Sequence, residues 1–210
     1  MSTAARATSG PVPPGDLPEA RLAQLQAGIR EYMDAQMVMA ERPEAHVNLG
    51  ILRASMGDAA AAIADYRTAI AIDPAYIPAY VNMADVYRWQ QDEGQAEKLL
   101  REAVRIAPAN ADVRYALGLT LVRQQRTGEA AEELRQAAEL NPANGRYVYV
   151  YGVALHSTGQ PRQAVEVLEK GLVLHPYDRD ILAALAAFYR DQGDPARAKQ
   201  YQDRLQALSP

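Results

Sequence analysis

Five prolines mark the chain at a single interval. Pro74, Pro108, Pro142, Pro176 and Pro210 follow one another at 34-residue spacing. One pair at that distance would mean little, but four equal intervals in succession mark a chain built by repeating one unit. Other positions keep the same phase. A small residue recurs at Gly50, Ala84, Gly118, Gly152 and Ala186, each after Leu49, Met83, Leu117, Tyr151 or Leu185. Alanine stands in every unit at Ala62, Ala96, Ala130, Ala164 and Ala198. Then come Tyr66, Leu100, Leu134 and Leu168, a column that Gln202 breaks in the last unit, and next Ala69, Ala103, Ala137, Gly171 and Leu205.

These columns suit pairs of packed helices. Two helices approach to the near end of the usual ~8–10 Å only where the side chains at the crossing are small, and the Gly/Ala and Ala columns supply such a crossing. Abundant alanine and sparse β-branched residues favour helix over strand. Proline has no N–H to donate and ends the second helix of each unit. Turn signals separate the two helices: Gly57-Asp58, Gly159-Gln160-Pro161 and Gly193-Asp194-Pro195. The last of these sets glycine behind one helix, aspartate at the next N-cap and proline at the first helical position.

The period and columns resemble the tetratricopeptide repeat, from about Pro43 to Pro210. The resemblance implies an all-α, right-handed helical-repeat solenoid of five helix–turn–helix units, over residues 43–76, 77–110, 111–144, 145–178 and 179–210. It departs from the family pattern early in the first helix, where a bulky aromatic is replaced by His46, Arg114, Val148 and Leu182, with Tyr80 retained. The later tyrosine of that helix survives as Tyr87 and Tyr189. A second resemblance is to C-terminal repeat blocks of larger bacterial proteins, some with multihaem cytochrome-like regions upstream. It rests on ERPEAHVNLG, YVYVYGVALHSTGQ and LHPYDRDILAALAAFYRDQGD, and no haem-attachment CxxCH is present.

A stack of units needs its end faces covered. Residues 18–42 read as a helix whose Leu22, Leu25, Ile29, Met33, Met37 and Ala40 form one apolar stripe, with Tyr32 and Met39 off it. It is expected either to cap the first unit or, being rich in adaptable methionine, to act as a docking or dimer surface. Residues 1–17, rich in Ser, Gly and Pro, read as a flexible tail without the apolar core of a secretory signal. No run of 18 apolar residues exists to span a bilayer. The chain as it stands reads as cytoplasmic, or as periplasmic if cut from a longer precursor.

Catalytic chemistry finds little to stand on. Cysteine is absent, so disulfides, thiolate metal sites and a cysteine nucleophile are excluded. The histidines, His46, His156 and His175, lie in separate units or beside a unit-closing proline, so they do not form a metal cluster. HExxH, GxSxG and phosphate-loop motifs are missing. The net charge of −4 argues for neither nucleic acid nor membrane insertion. The chain is therefore expected to be a non-catalytic scaffold without cofactor or metal that binds a protein or peptide segment. Alternatively it is a self-assembling structural or adaptor protein of a bacterial envelope or multiprotein complex, associating through the N-terminal helix or the convex face.

The resemblance implies that first helices line a concave face, where residues recur as rows. One row is Val47, Val81, Tyr115, Tyr149 and Ala183; the next is Asn48, Asn82, Ala116, Val150 and Ala184; a third is Ile51, Asp85, Leu119, Val153 and Ala187. Nearer the rim stand Arg88, Val122 and His156, with Trp89 and Arg123. Asn48, Asn82, Arg88, Trp89, Tyr115, Leu119, Arg123, Tyr149 and Val153 are the expected peptide-binding residues. Asparagine can bond a peptide main chain through both donor and acceptor. Trp, Tyr and Arg dominate interface energetics through large area or a planar donor fork. Tyr115 and Tyr149 could instead pack between adjacent first helices. Chaperone-tail binders resemble one another in a Lys, Asn, Asn, Lys, Arg clamp; the matching Val47, Ile51, Asn82, Asp112 and Ala116 share one of its five residues.

Overall fold

A computed structural model describes residues 19–208. The expected tail, Pro210 and the side chain of Leu22 lie outside the described residues. Eleven helices follow one another, with no strand among the described residues: α1 (Glu19–Met37), α2 (Pro43–Ser55), α3 (Ala59–Ile72), α4 (Ile77–Trp89), α5 (Glu93–Ile106), α6 (Ala111–Arg123), α7 (Thr127–Leu140), α8 (Gly145–Ser157), α9 (Pro161–Leu174), α10 (Arg179–Asp191) and α11 (Pro195–Gln206).

Local chemistry sets where helices begin. Asp58, Asp92, Asn110, Asn144, Asp178 and Asp194 each accept a hydrogen bond from a first-turn N–H, which would otherwise lack a partner. Proline stands in the first turn of α2, α4, α9 and α11, where no N–H is needed. The turn from first to second helix is the same in all five pairs. A residue with positive φ follows the first helix at Gly57, Gln91, Gln125, Gly159 and Gly193. The next residue's N–H then reaches back to a carbonyl in the last turn, as Asp58 does to Arg53 and Asp194 to Tyr189, both at 2.9 Å.

Packing follows the columns. Each first helix lies on its own second helix, and each second helix on the next first helix, so the pairs stack into a helical-repeat solenoid. The alanines at 62, 96, 130 and 164 are fully buried, as are Leu100, Leu134 and Leu168. Glycine is required where the two helices of a pair cross. A Cβ built on Gly50 would meet the Tyr66 ring at 2.4 Å, one on Gly118 would meet Leu134 Cγ at 2.7 Å, and one on Gly152 would meet Leu168 Cγ at 2.6 Å. Ion pairs run across the stack as well: Arg126 Nη1 of the α6–α7 turn bonds Glu97 of α5, and Arg101 of α5 bonds Glu129 of α7.

The two ends differ. At the first, the His46 ring bonds the Ala40 carbonyl at 2.9 Å, and Gln36 of α1 accepts from Asn48 of α2 at 3.0 Å. Only the C-terminal half of α1 and the turn after it lean on the stack. Along the apolar stripe Ile29, Met33 and Ala40 are partly buried, while Leu25 and Met37 stay more than half exposed. At the other end α11 buries Ala198 and Tyr201, packs half-buried Leu205 against the same core, and presents mostly polar side chains to water.

Candidate peptide-binding groove

Neighbouring first helices touch: α2 packs on α4, α4 on α6, and α8 on α10. No two second helices pack comparably, so the first helices stand on the inside of the curve. Their common 13-residue length and shared turn geometry bring the same helical faces into line along that side.

The proposed rows are unequal in burial. Val47 and Ala116 are buried in the stack; Val81, Leu119, Tyr115 and Tyr149 are half-buried; Ile51, Val122 and Val153 are exposed. Trp89 stands out at 69% exposure at the end of α4. The two asparagines are already engaged. Asn48 donates to Gln36 of α1, and Asn82 donates to the Pro78 carbonyl of its own helix at 2.8 Å. Each keeps its side-chain carbonyl as acceptor.

Tyr115 is at the centre. Its ring lies 4.7 Å from that of Tyr147 on the next first helix, and Arg146 Nε donates to its hydroxyl at 2.8 Å. The Tyr147 hydroxyl in turn donates to Asp112; burial and that carboxylate push Tyr147 up to about 12. Thus Tyr115 does pack between first helices, while its hydroxyl becomes part of a polar patch. On the other side of that patch lies Arg88, which pairs with Asp85 and is within electrostatic reach of Arg123, Glu93 and Tyr115. Burial pulls the Arg88 guanidinium below its usual value; the Arg123 charge adds to this and Glu93 opposes it. Arg123 reaches Glu93 at only 3.7 Å, and the backbone carbonyl of Glu93 accepts from Gln124 at 3.1 Å.

Of the nine expected residues, Arg88, Tyr115 and Arg123 therefore share one patch. Trp89 adjoins it in sequence, whereas Asn48 lies at the entrance under α1. Tyr149 and Val153 belong to α8, further along. The sequence reading placed Asp85 in a groove row without giving it a role, and passed over Glu93 and Tyr147. Glu93 opens a second helix, and nothing in a row of first-helix residues points to it. His156, expected on the groove, stacks on Phe188 at 3.9 Å and lies 3.6 Å from Asp191. Among the described residues no three His, Asp or Glu side chains gather as a metal-ligand set.

Profiles of the tetratricopeptide repeat match residues 53–120, 90–154 and 121–173, more than half of the chain. The chain belongs to the tetratricopeptide repeat family. No curated protein sequence matches it significantly. Among solved structures it is similar to MamA, at 22% identity and a TM-score of 0.67 over 75% of this chain and 92% of that one. It is also similar to YrrB, described as a repeat protein "with an unusual peptide-binding site", at 22% identity and a TM-score of 0.67 over 85% and 92%. PilF of Pseudomonas aeruginosa gives 26% identity and a TM-score of 0.69 over 80% of this chain and 77% of that one. For MamA and YrrB the likeness is one of fold. No helix of the described residues is long and apolar enough to cross a membrane.

Proposed function

We propose that this chain is a non-catalytic protein–protein interaction scaffold that holds a peptide or protein segment along the inner face of its first helices. One observation carries the reading. That face leaves Trp89, Ile51, Val122 and Val153 exposed between half-buried Tyr149, Leu119 and Arg88. Aromatic and arginine side chains around apolar surface are the composition of binding hot spots, where large areas are desolvated at small entropy cost. The solved likeness to YrrB, whose description names a peptide-binding site, agrees with this use of the fold.

The test is a peptide-display selection against the chain, followed by binding to variants. Trp89→Ala combined with Tyr149→Ala and Val153→Asp should weaken the selected peptides at least tenfold, since hot-spot truncations cost about 2 kcal/mol or more. Val173→Asp, on exposed α9 surface, should leave them unchanged. Peptides that bind both variants equally would place the partner elsewhere and sink the groove.

A second reading, self-assembly through α1, is favoured by a separate observation: Leu25, Tyr32 and Met37 of that helix, and Met39 just after it, are 44–54% exposed. Apolar surface gathered on one helix is what association would cover.

A further inference from the structure

In the repeat register α1 is the second helix of a unit that lacks a first helix. At 34 residues before Ala62, Tyr66 and Ala69 of α3 lie Gly28, Tyr32 and Ala35. In α3 those side chains are covered by α2 and are at most 1% exposed. In α1 all three residues are exposed, Tyr32 at 44%, and a Cβ on Gly28 would meet nothing within 4 Å. The other side of α1 keeps the same register. Ile29, Met33 and Gln36 are partly buried and stand in phase with Ile63, Arg67 and Ile70, of which Ile70 packs against the core of the next unit. The sequence just upstream does not supply the cover. Each unit turns between its helices at a positive-φ residue, and that phase falls on Ala23, inside α1. Residues 9–21, in phase with a first helix, carry Pro11, Pro13, Pro14 and Pro18, and interior prolines remove donors and crowd the preceding turn. A cover for this face therefore comes from another chain.

We propose that the Gly28–Tyr32–Ala35 face of α1 is a docking slot for one amphipathic helix of a partner protein, which takes the place of the first helix. The inference rests on α1 as an association surface and names a different occupant for it. The chemistry of that occupant is set by α2, which covers the matching residues of α3. Gly50 follows Leu49 and lets the Tyr66 ring lie against the backbone, where a Cβ would collide with it. Tyr32 offers the same ring. Arg53, three residues after Gly50, bonds both carboxylate oxygens of Asp65 at 2.8 Å. Glu31 stands in phase with Asp65 and is exposed, an acid placed to receive such an arginine. This pairing belongs to α1 and α3 alone. The next three units carry Leu100, Leu134 and Leu168 in place of the tyrosine, with Leu99, Glu133 and Val167 at the phase of the acid. The partner helix thus has a large apolar residue, then Gly or Ala, and a basic residue three places on. It buries the apolar face as helix-in-groove ligands do, and Glu31 sets its direction.

The probe is the α2 sequence itself, residues 43–55, as an acetylated, amidated and fluorescein-labelled peptide titrated with the full chain. Its anisotropy should rise saturably. A Gly50→Leu peptide should bind about tenfold more weakly, because the added side chain meets the Tyr32 ring. That peptide is also the more apolar one, so equal or tighter binding by it marks mere adhesion and overturns the slot. Arg53→Gln in the peptide and Glu31→Gln in the chain should each weaken binding about threefold, and no further when combined. Gly28→Leu in the chain, at a position open to solvent that leaves the fold intact, should remove binding. No saturable binding at millimolar chain, or binding indifferent to Gly28→Leu, overturns the proposal. A second copy of the chain competes for the same face. If the chain doubles in mass and the peptide neither binds nor lowers that mass, self-assembly stands and the partner helix falls. If the peptide binds and the chain never doubles, the slot stands and self-assembly falls.

Discussion

Gly118 has no side chain because Leu134 occupies the space where one would go. A Cβ there would stand 2.7 Å from Leu134 Cγ and 2.9 Å from Cδ2, while the Ala130 carbonyl closes the third side at 3.4 Å. Leu134 is fully buried and cannot move aside without disturbing Ala154 and Ala131. Gly128 meets nothing within 4 Å of its Cβ position and has ordinary helical backbone. Gly118→Ala is therefore expected to destabilise the chain by about 1–3 kcal/mol through overpacking. Gly128→Ala should stabilise it by about 0.4–1 kcal/mol by restricting the unfolded chain. Denaturant unfolding of the two variants checks the pair. A Gly118→Ala chain as stable as the parent would mean that the crossing tolerates a methyl, and the reading of the Gly/Ala column would fall.

At the scale of the element, the turn inside each helix pair carries the clearest conflict between sequence and backbone. Its left-handed position is glycine at Gly57, Gly159 and Gly193 but glutamine at Gln91 (φ 63°) and Gln125 (φ 61°). A side chain there crowds the backbone, at a cost of roughly 1 kcal/mol. Replacing both glutamines by glycine should raise stability by about 0.5–1 kcal/mol each, the gain being trimmed by glycine's greater freedom when unfolded. Thermal unfolding of the double variant reads this out; an unchanged or lower midpoint would contradict it. These two turns lack a glycine signal in the sequence, although Gln91 and Gln125 stand at the same 34-residue phase as the three glycines, among proline and alanine columns that repeat around them. Helix pairing was legible for that reason. The site was less so. Rows of first-helix residues put Arg88, Tyr115 and Arg123 on one face, but burial and cross-helix partners depend on three-dimensional packing that no row encodes. Asn48 shows it: its position fits a main-chain grip, and α1 has already taken its amide through Gln36. Glu93 shows the converse, since the start of a second helix comes within 3.7 Å of Arg123 on the next first helix, a proximity no row encodes.

At the scale of the whole molecule, the proposed self-assembly through α1 turns on the two ends of the described stack. The far end is α11, whose outward side chains include Lys199, Gln200, Asp203 and Arg204, all exposed to water. The near end is α1, where Leu25, Tyr32, Met37 and Met39 are exposed together with Val38 at 85%. An apolar end and a polar end cannot join head to tail favourably, because burying the charged face of α11 against α1 would strip its ions of water. Two apolar ends can meet, each covering the other around a two-fold axis, and such a contact closes on itself. Self-assembly of this kind ends at a dimer instead of growing into a filament. Light scattering over rising concentration should therefore show a mass that climbs from 23.0 kDa and levels off at twice that value. Leu25→Glu with Met37→Glu, on positions already open to solvent, should hold the chain at the single-chain mass without loss of helicity. A parent chain that stays at the single-chain mass at millimolar concentration removes the α1 reading. A mass that grows without levelling removes the two-fold closure and points to contacts along the outer face, where Val173, Leu174 and Tyr177 are exposed on and just after α9.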